Sequence, residues 1–400
     1  MRNVNPVRVI LRNGREKPVL NGHPWVFSGA IERCEPAEVP AGSPCEVFDS
    51  RGNGLASGYI NPASQITCRL VSRVPGEYWG AELLRRRLEE ATAFRDSLGL
   101  KDTDCLRLVN AEGDGLPGIV VDRYAEALVV ELTTAGAESL RRELSAWLER
   151  RYKPSFIFEN SGGPARSYEG LAEVRQALAG VAARRVAVTE YGHRFQVDPL
   201  EGQKTGFYLD QRENRRLAAA WLKKQGRALN LFSYTGAFAV YLAAAGASAV
   251  TSVETSEKAL ELAGENLRLN GFSAEQHPLV RADAFEYLRG AGENSGRFDL
   301  VVVDPPPLAR QSAHVDKASR AYKDINRLAL GCIAGGGILL TFTCSGHIGA
   351  KLFRQIVFAA AVEANRRVRV LSLLGAGPDH PVSLFHPEGE YLSGLLLQVS

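Results

Sequence analysis

The stretch that most limits how this chain can fold is Ala228 to Glu254, ALNLFSYTGAFAVYLAAAGASAVTSVE. The apolar run Ala228-Leu229-Asn230-Leu231-Phe232 suits a buried parallel strand, and Ser233-Tyr234-Thr235-Gly236 turns the chain into a helix predicted from Ala237. Val250-Thr251-Ser252-Val253 reads as the next strand. Two buried strands joined by a crossover helix make one βαβ unit. Open sheets of this kind bind ligands at the carboxyl ends of their strands, so this stretch is predicted to be a nucleotide-cofactor cradle, with Glu254 at one such end.

At 400 residues the chain is too long for one ordinary core, and two or three domains are expected. Residues 1–72 read as a small β domain, with short apolar stretches separated by Asn13-Gly14, Asn21-Gly22 and Asn61-Pro62. Within it, His23-Pro24-Trp25-Val26-Phe27-Ser28-Gly29 sets two large aromatics among smaller residues, and the plain reading of Trp25 and Phe27 is core. Residues 73–197 read as a compact α+β domain: a helix from Ala81 to Leu98, strands near Cys105–Asn110, Ile119–Arg123 and Ala127–Leu132, a helix from Leu140 to Tyr152 and a strand at Phe156–Asn160. A hairpin at 186–197 closes it. From residue 198 onward helices and apolar strands alternate, which implies an α/β doubly wound, mostly parallel sheet of Rossmann-like type. Its strands are expected at 229–232, 250–253, 278–281, 298–303, 337–342, 368–374 and 392–399.

Composition excludes more than it assigns. The start MRNVNPVRVILRNGREKP lacks an apolar signal core, and no long apolar run follows, so a cytoplasmic protein with no membrane span is expected. Six cysteines stand without CxxC or Cys/His spacing, which suggests buried thiols rather than disulfides or a metal site. A net charge of +3 does not by itself announce nucleic-acid binding.

The dinucleotide fingerprint places three glycines in the first loop of such a unit, whereas Ser233 to Phe238 contains only Gly236. That weakens a nicotinamide-dependent dehydrogenase. S-adenosylmethionine has no pyrophosphate to wrap, so one glycine for close backbone approach suffices. Glu254 is then placed to accept from the ribose hydroxyls. Asp283-Ala284 follows the third strand where an acid can bond the adenine amino group with Phe285 on the ring, although Asp283 reads equally well as a helix cap.

Two further strand ends carry chemistry. Asp304-Pro305-Pro306-Pro307 holds an acid rigidly at the sheet edge, because proline continues neither strand nor helix there. Leu308 follows, where methyltransferases acting on exocyclic amines usually carry an aromatic, so nitrogen is disfavoured as acceptor. The fifth strand ends in Thr341-Phe342-Thr343-Cys344-Ser345-Gly346. Carbon 5 of a pyrimidine is a poor nucleophile unless a thiolate adds to carbon 6 and an acid near N3 stabilises the adduct. Cys344 and Asp304 fit those two roles.

On these residues the chain resembles the RlmI-type family of ribosomal RNA 5-methylcytosine methyltransferases over nearly its whole length. HPWVFSG and ASGYINPASQI look like that family's PUA domain, an RNA-binding β-barrel, and GDGLPGIVVDRY like its middle domain. EGQKTGFYLDQRENR (Glu201–Arg215), NLFSYTGAF, DPPP, TFTCSG, Asp379-His380-Pro381 and Pro387-Glu388-Gly389 complete the match, the first and fourth of these being specific. The resemblance implies a class I methyltransferase fold behind a central α+β domain and a PUA-like domain. It puts S-adenosylmethionine against Asn230, Phe232, Ser233, Tyr234, Thr235, Gly236, Glu254, Asp283, Ala284 and Asp304, helped by Gln203, Thr205, Phe207 and Tyr208. Cys344 becomes the nucleophile, and His23, Trp25, Phe27, Lys204 and Arg212 become candidate RNA contacts. A plainer reading makes the 201–215 stretch a polar loop that caps a helix through Asp210 or Asn214. Large-subunit ribosomal RNA is the implied partner, with a homodimer allowed. Pro307-Leu308 departs from the Lys and Phe that the family commonly carries there, and a second cysteine after the prolines is absent, as it is in RlmI-type enzymes. A non-catalytic RNA-binding assembly factor with the same fold is the alternative from another class.

Overall fold

The computed structural model describes residues 6–290, 297–309 and 312–400. The chain divides into two compact units, one of residues 1–188, 197–207 and 378–389, the other of residues 189–196, 208–377 and 390–400. Among the described residues no helix is long and apolar enough to cross a membrane.

The first unit holds two sheets. The first, six-stranded, has the order Trp25–Phe27, Ile66–Ser72, Gly54–Ile60, Ser43–Phe48, Val7–Leu11, Ile31–Glu35. Its small core is built from alternating residues such as Val9, Leu11, Val26, Val47 and Ile60. The second, five-stranded, runs Val174–Gly180, Phe156–Ser161, Ala127–Leu132, Ile119–Tyr124, Cys105–Asn110, and shares a core with the helices Ala81–Ser97 and Arg141–Tyr152. The strand Val174–Gly180 has no counterpart in the sequence reading. It is an edge strand with no fully buried residue, and without a buried face it leaves no alternation to detect.

The late segment 378–389 belongs to this unit, although its sequence neighbours lie in the other. Its polar groups explain why. The Asp379 carboxylate accepts from the Arg107 backbone N–H at 3.0 Å, Arg95 donates to the Asp379 carbonyl at 2.9 Å, and Asn110 donates to the Pro381 carbonyl at 2.9 Å.

The second unit is built on a seven-stranded sheet. Its strands are β1 (Arg227–Leu231), β2 (Ala249–Glu254), β3 (Leu279–Arg281), β4 (Phe298–Val303), β5 (Ile333–Thr343), β6 (Val368–Leu374) and β7 (Ser393–Val399), in the order β3-β2-β1-β4-β5-β7-β6. Helices α1 (Arg212–Trp221), α2 (Ala237–Ala244), α3 (Glu257–Leu269), α4 (Ala284–Gly290), α5 (Val315–Cys332) and α6 (Ala350–Glu363) alternate with them. Strands β1 to β5 are parallel, as their unbroken apolar runs require, since both faces are covered. Only β7 runs against its neighbours. The order reverses between β1 and β4, and at such a switch point open α/β sheets bind ligands beyond the carboxyl ends of the strands. Leu231, Val253 and Val303 stand in register there, as do Val303 and Thr341, so the loops after β1, β2, β4 and β5 leave the sheet side by side.

Candidate functional site at the strand ends of the second unit

The loop after β1 is a tight device. Phe232, Tyr234 and Gly236 all adopt left-handed backbone, with φ of 57°, 46° and 76°. For two bulky aromatics this conformation is costly, on the order of 1–3 kcal/mol each, and it persists only where surrounding bonds impose it. Here Ser233 N–H donates to the Val253 carbonyl at 3.1 Å, Gly236 N–H to the Ser233 carbonyl at 2.9 Å, and Asn266 to the Thr235 carbonyl at 2.9 Å. Tyr234 N–H donates to Glu254 Oε2 at 3.0 Å, while Oε1 accepts from the N–H groups of Thr255 at 2.8 Å and Ser256 at 3.0 Å. The Glu254 carboxylate is therefore held by backbone on both sides and is half-buried at the end of β2.

Glycine at 236 has a packing reason beside the close approach of a cofactor expected from the sequence. A Cβ there would lie 2.8 Å from Ala263 Cβ on α3, so the glycine lets the start of α2 pack against that helix. Gly236→Ala is expected to destabilise the second unit by about 1–3 kcal/mol through overpacking and the positive φ, as read from the urea midpoint.

Four buried polar atoms in this region have no hydrogen-bond partner among the described residues: Asn230 Nδ2, Ser233 Oγ, Thr235 Oγ1 and Ser252 Oγ. Orphaned groups of this kind each cost about 1–3 kcal/mol. A polar ligand carrying amino, carboxylate and hydroxyl groups answers them, and S-adenosylmethionine carries all three. Asp283 is exposed and caps α4, its Oδ1 accepting from Phe285 N–H at 2.9 Å and Glu286 N–H at 3.1 Å. Ala284 is buried behind it. The Phe285 ring meets Phe232 edge to face at 6.5 Å.

Asp304 and Cys344 come together where β4 and β5 end. Cys344 is half-buried, with Sγ 3.6 Å from the Pro305 carbonyl oxygen. The two loops are tied by a network the sequence did not announce. Tyr322 of α5 shares a hydrogen bond with Ser345 Oγ at 3.1 Å and accepts from Thr343 Oγ1 at 3.0 Å, while Ala309 N–H donates to Ser345 Oγ at 3.2 Å. Tyr322 sits on the apolar stripe of an amphipathic helix, so only its partners distinguish it from a core residue.

The 208–215 segment supplies the other wall. Gln211 donates to Asp304 Oδ2 at 2.9 Å. The Tyr208 ring meets Tyr234 edge to face at 5.4 Å, and its phenol is pushed well above its ordinary range, first by burial and then by the charges of Asp304 and Cys344 nearby. Neither Asp210 nor Asn214 caps a helix. Asp210 accepts from the Tyr391 hydroxyl at 2.7 Å, and Asn214 donates to the Gly375 carbonyl at 3.0 Å.

The remaining candidates divide. Gln203, Thr205 and Phe207 fall in the first unit, whereas Tyr208 falls in the second. Thr205 donates to Asp122 at 2.5 Å and shares a hydrogen bond with the Tyr124 hydroxyl at 2.8 Å, and Phe207 is buried. Thr205 anchors the loop on the first unit's sheet. Gln203 and Lys204 are exposed. Arg212 is corrected: its side chain is 0% exposed, and a sealed guanidinium presents nothing to a nucleic acid. In HPWVFSG it is Val26 that enters the core. Trp25 is half-buried, with Nε1 donating to Glu112 at 3.0 Å, His23 lies 3.2 Å from Glu388, and Phe27 is 49% exposed, against the core reading of both aromatics.

A half-buried acid, orphaned polar atoms and a thiol at the strand ends beside a switch point are the marks of a Rossmann-like transferase that uses a nucleoside cofactor. Comparison with known proteins narrows this. Residues 128–381 match the family model described as S-adenosylmethionine-dependent methyltransferase, and residues 9–73 match a PUA-like domain. The chain is 40% identical over 395 residues to ribosomal RNA large subunit methyltransferase I of Escherichia coli O139:H28, covering 98% of this chain and 99% of that one. It is 41% identical, with the same coverage, to the protein of that name from Serratia proteamaculans. A structure described as a SAM-dependent methyltransferase from Streptococcus mutans superposes with a TM-score of 0.83 at 22% identity, covering 98% of this chain and 99% of its own. Another, a methyltransferase complexed with SAH, gives 0.84 at 22% identity and the same coverage. The chain belongs to the ribosomal RNA large subunit methyltransferase I family of S-adenosylmethionine-dependent methyltransferases.

Proposed function

We propose that this protein methylates carbon 5 of a cytosine in large-subunit ribosomal RNA, in the cytoplasm, through a covalent bond between Cys344 and carbon 6. The observation that carries the reading is the meeting of Cys344 with the Asp304-Pro305 turn at adjacent strand ends. The relatives' name supports the RNA class. S-adenosylmethionine, held by Asn230, the Phe232–Gly236 loop, Glu254 and the Asp283-Ala284 turn, supplies the methyl group. Cys344 as thiolate bonds to carbon 6 and makes carbon 5 nucleophilic. Asp304 gives a proton to N3 as negative charge develops there and takes it back when sulfur leaves. The rigid prolines keep the carboxyl from following the ring. The division into a PUA-like part at 1–72, a central part at 73–197 and a catalytic part at 198–400 belongs to the same reading, with Trp25, Phe27, His23 and Lys204 meeting RNA through stacking and charge.

The test is to incubate the protein with S-adenosylmethionine and large-subunit RNA lacking modification, then map methylated bases by mass spectrometry. One 5-methylcytosine is expected. Methyl on an exocyclic nitrogen, or on protein alone, overturns the reading.

A further inference from the structure

We infer that Gln211 and Asn214 are positioning residues that form a one-way hydrogen-bond relay, and that this relay fixes Oδ1 as the oxygen of Asp304 that carries the catalytic proton. The inference rests on the proposed reaction. Its ground is a chain of contacts within the second unit whose direction is set at one end by an atom that can only accept. The Gly375 carbonyl lies 3.0 Å from the Asn214 side-chain amide, so the amide atom facing it is nitrogen. The same nitrogen, which has two hydrogens, lies 2.6 Å from the Gln211 amide, so the Gln211 atom there is Oε1. The opposite corner of the Gln211 amide is then necessarily Nε2. It faces Asp304 Oδ2 at 2.9 Å and donates to it.

In a carboxylic acid the carbonyl oxygen accepts far better than the hydroxyl oxygen, so the Gln211 N–H favours Oδ2 as the carbonyl oxygen. The acid form of Asp304 therefore holds its proton on Oδ1. Both amides are almost fully buried, which denies them water as a substitute partner and makes a flipped amide costly. In the reaction, as Sγ bonds to carbon 6, the C5=C6 pair moves to C4=C5 and the C4=N3 pair moves onto N3. N3 takes the proton from Oδ1. After transfer of the methyl group and loss of the carbon 5 proton to a base, C5=C6 re-forms, sulfur leaves and the N3 proton returns to Oδ1. The backbone of Gly375, remote in sequence, thus sets the polarity of the catalytic acid.

The experiment compares Asn214→Ala with Asn214→Asp for kcat and for KM toward S-adenosylmethionine, on one RNA substrate, beside Cys344→Ala. An aspartate has at most one hydrogen where the amide nitrogen has two, so it cannot serve both carbonyls. Gln211 must then turn its nitrogen toward position 214 and its oxygen toward Asp304, which reverses the relay. Asn214→Ala is expected to lower kcat roughly 10-fold and Asn214→Asp roughly 100-fold, with KM changed by less than about twofold in both. A role in packing alone predicts the opposite order, because aspartate is isosteric with asparagine. An Asn214→Asp enzyme as active as Asn214→Ala, or more so, overturns the relay. Circular dichroism checks folding. Should Asn214→Asp not fold, Gln211→Met, which keeps volume and removes the donor, is expected to lose roughly 10-fold in kcat at unchanged KM, and full activity overturns the relay. Full turnover by Cys344→Ala instead overturns the reaction on which the relay rests, so the two failures read differently.

Discussion

Cys344→Ala is expected to abolish methyl transfer to RNA, with a loss of about 10,000-fold or more, while S-adenosylmethionine binds within about twofold of the parent affinity. The asymmetry follows from where the thiol lies. The sulfur contacts the Pro305 carbonyl at the end of β4, whereas the orphaned donors that suit the cofactor gather at the ends of β1 and β2. Removing one half-buried sulfur leaves the Tyr322–Ser345–Ala309 network that shapes the loop intact. Single-turnover transfer from labelled cofactor, beside calorimetric titration of the cofactor, checks both halves. Undiminished transfer would remove Cys344 from its role. Loss of cofactor binding together with transfer would make the residue structural instead.

Arg215→Ala is expected to cost about 3–5 kcal/mol of stability, the largest effect anticipated away from the chemistry. Arg215 and Glu190 are 1% and 0% exposed and form a bidentate pair at 2.9 and 2.7 Å. Tyr241 adds a hydrogen bond to Glu190 Oε1 at 3.0 Å, and Arg215 also donates to the Tyr208 carbonyl at 3.0 Å. Truncating the arginine strands a buried carboxylate, and that penalty exceeds the net worth of the pair. Urea unfolding followed by fluorescence measures the loss. A double variant, Arg215→Met with Glu190→Gln, is expected to recover most of it, because neither charge is then left alone. Loss of activity should accompany the single change, since Tyr208 stands beside Asp304 and Cys344.

Much of the second unit was legible in the sequence, for a reason particular to parallel sheets. Strands buried on both faces read as unbroken apolar runs, and the predicted strand at 298–303 agrees with the residues observed; the edge strand at 368–374 buries no residue fully and was still legible from its apolar side chains. Another edge strand, poorer in large apolar residues, was silent. Val174–Gly180 has no fully buried residue and few large apolar ones, so nothing in its side chains marks it as a strand. The turn after β1 was visible as a loop, yet the packing contact of Gly236 with Ala263 on α3 was not, because it leaves no trace near residue 236. Arg212 was an RNA candidate through the family resemblance, and its burial, at 0% side-chain exposure, is decided by tertiary packing.

By itself the sequence determined the class of sheet, the positions of its strand ends and the chemical types standing there: an acid after β2, an acid before prolines after β4, a thiol after β5. These are local matters of periodicity and residue type. Only the tertiary structure decided that β4 and β5 lie side by side, so that Cys344 meets the Asp304-Pro305 turn, and that Gly375 reaches Asp304 through Asn214 and Gln211. It also drew residues 378–389 out of one unit into the other. Such pairings depend on which strands become neighbours and which buried polar atoms must find partners, and neither is written in the order of residues along one segment.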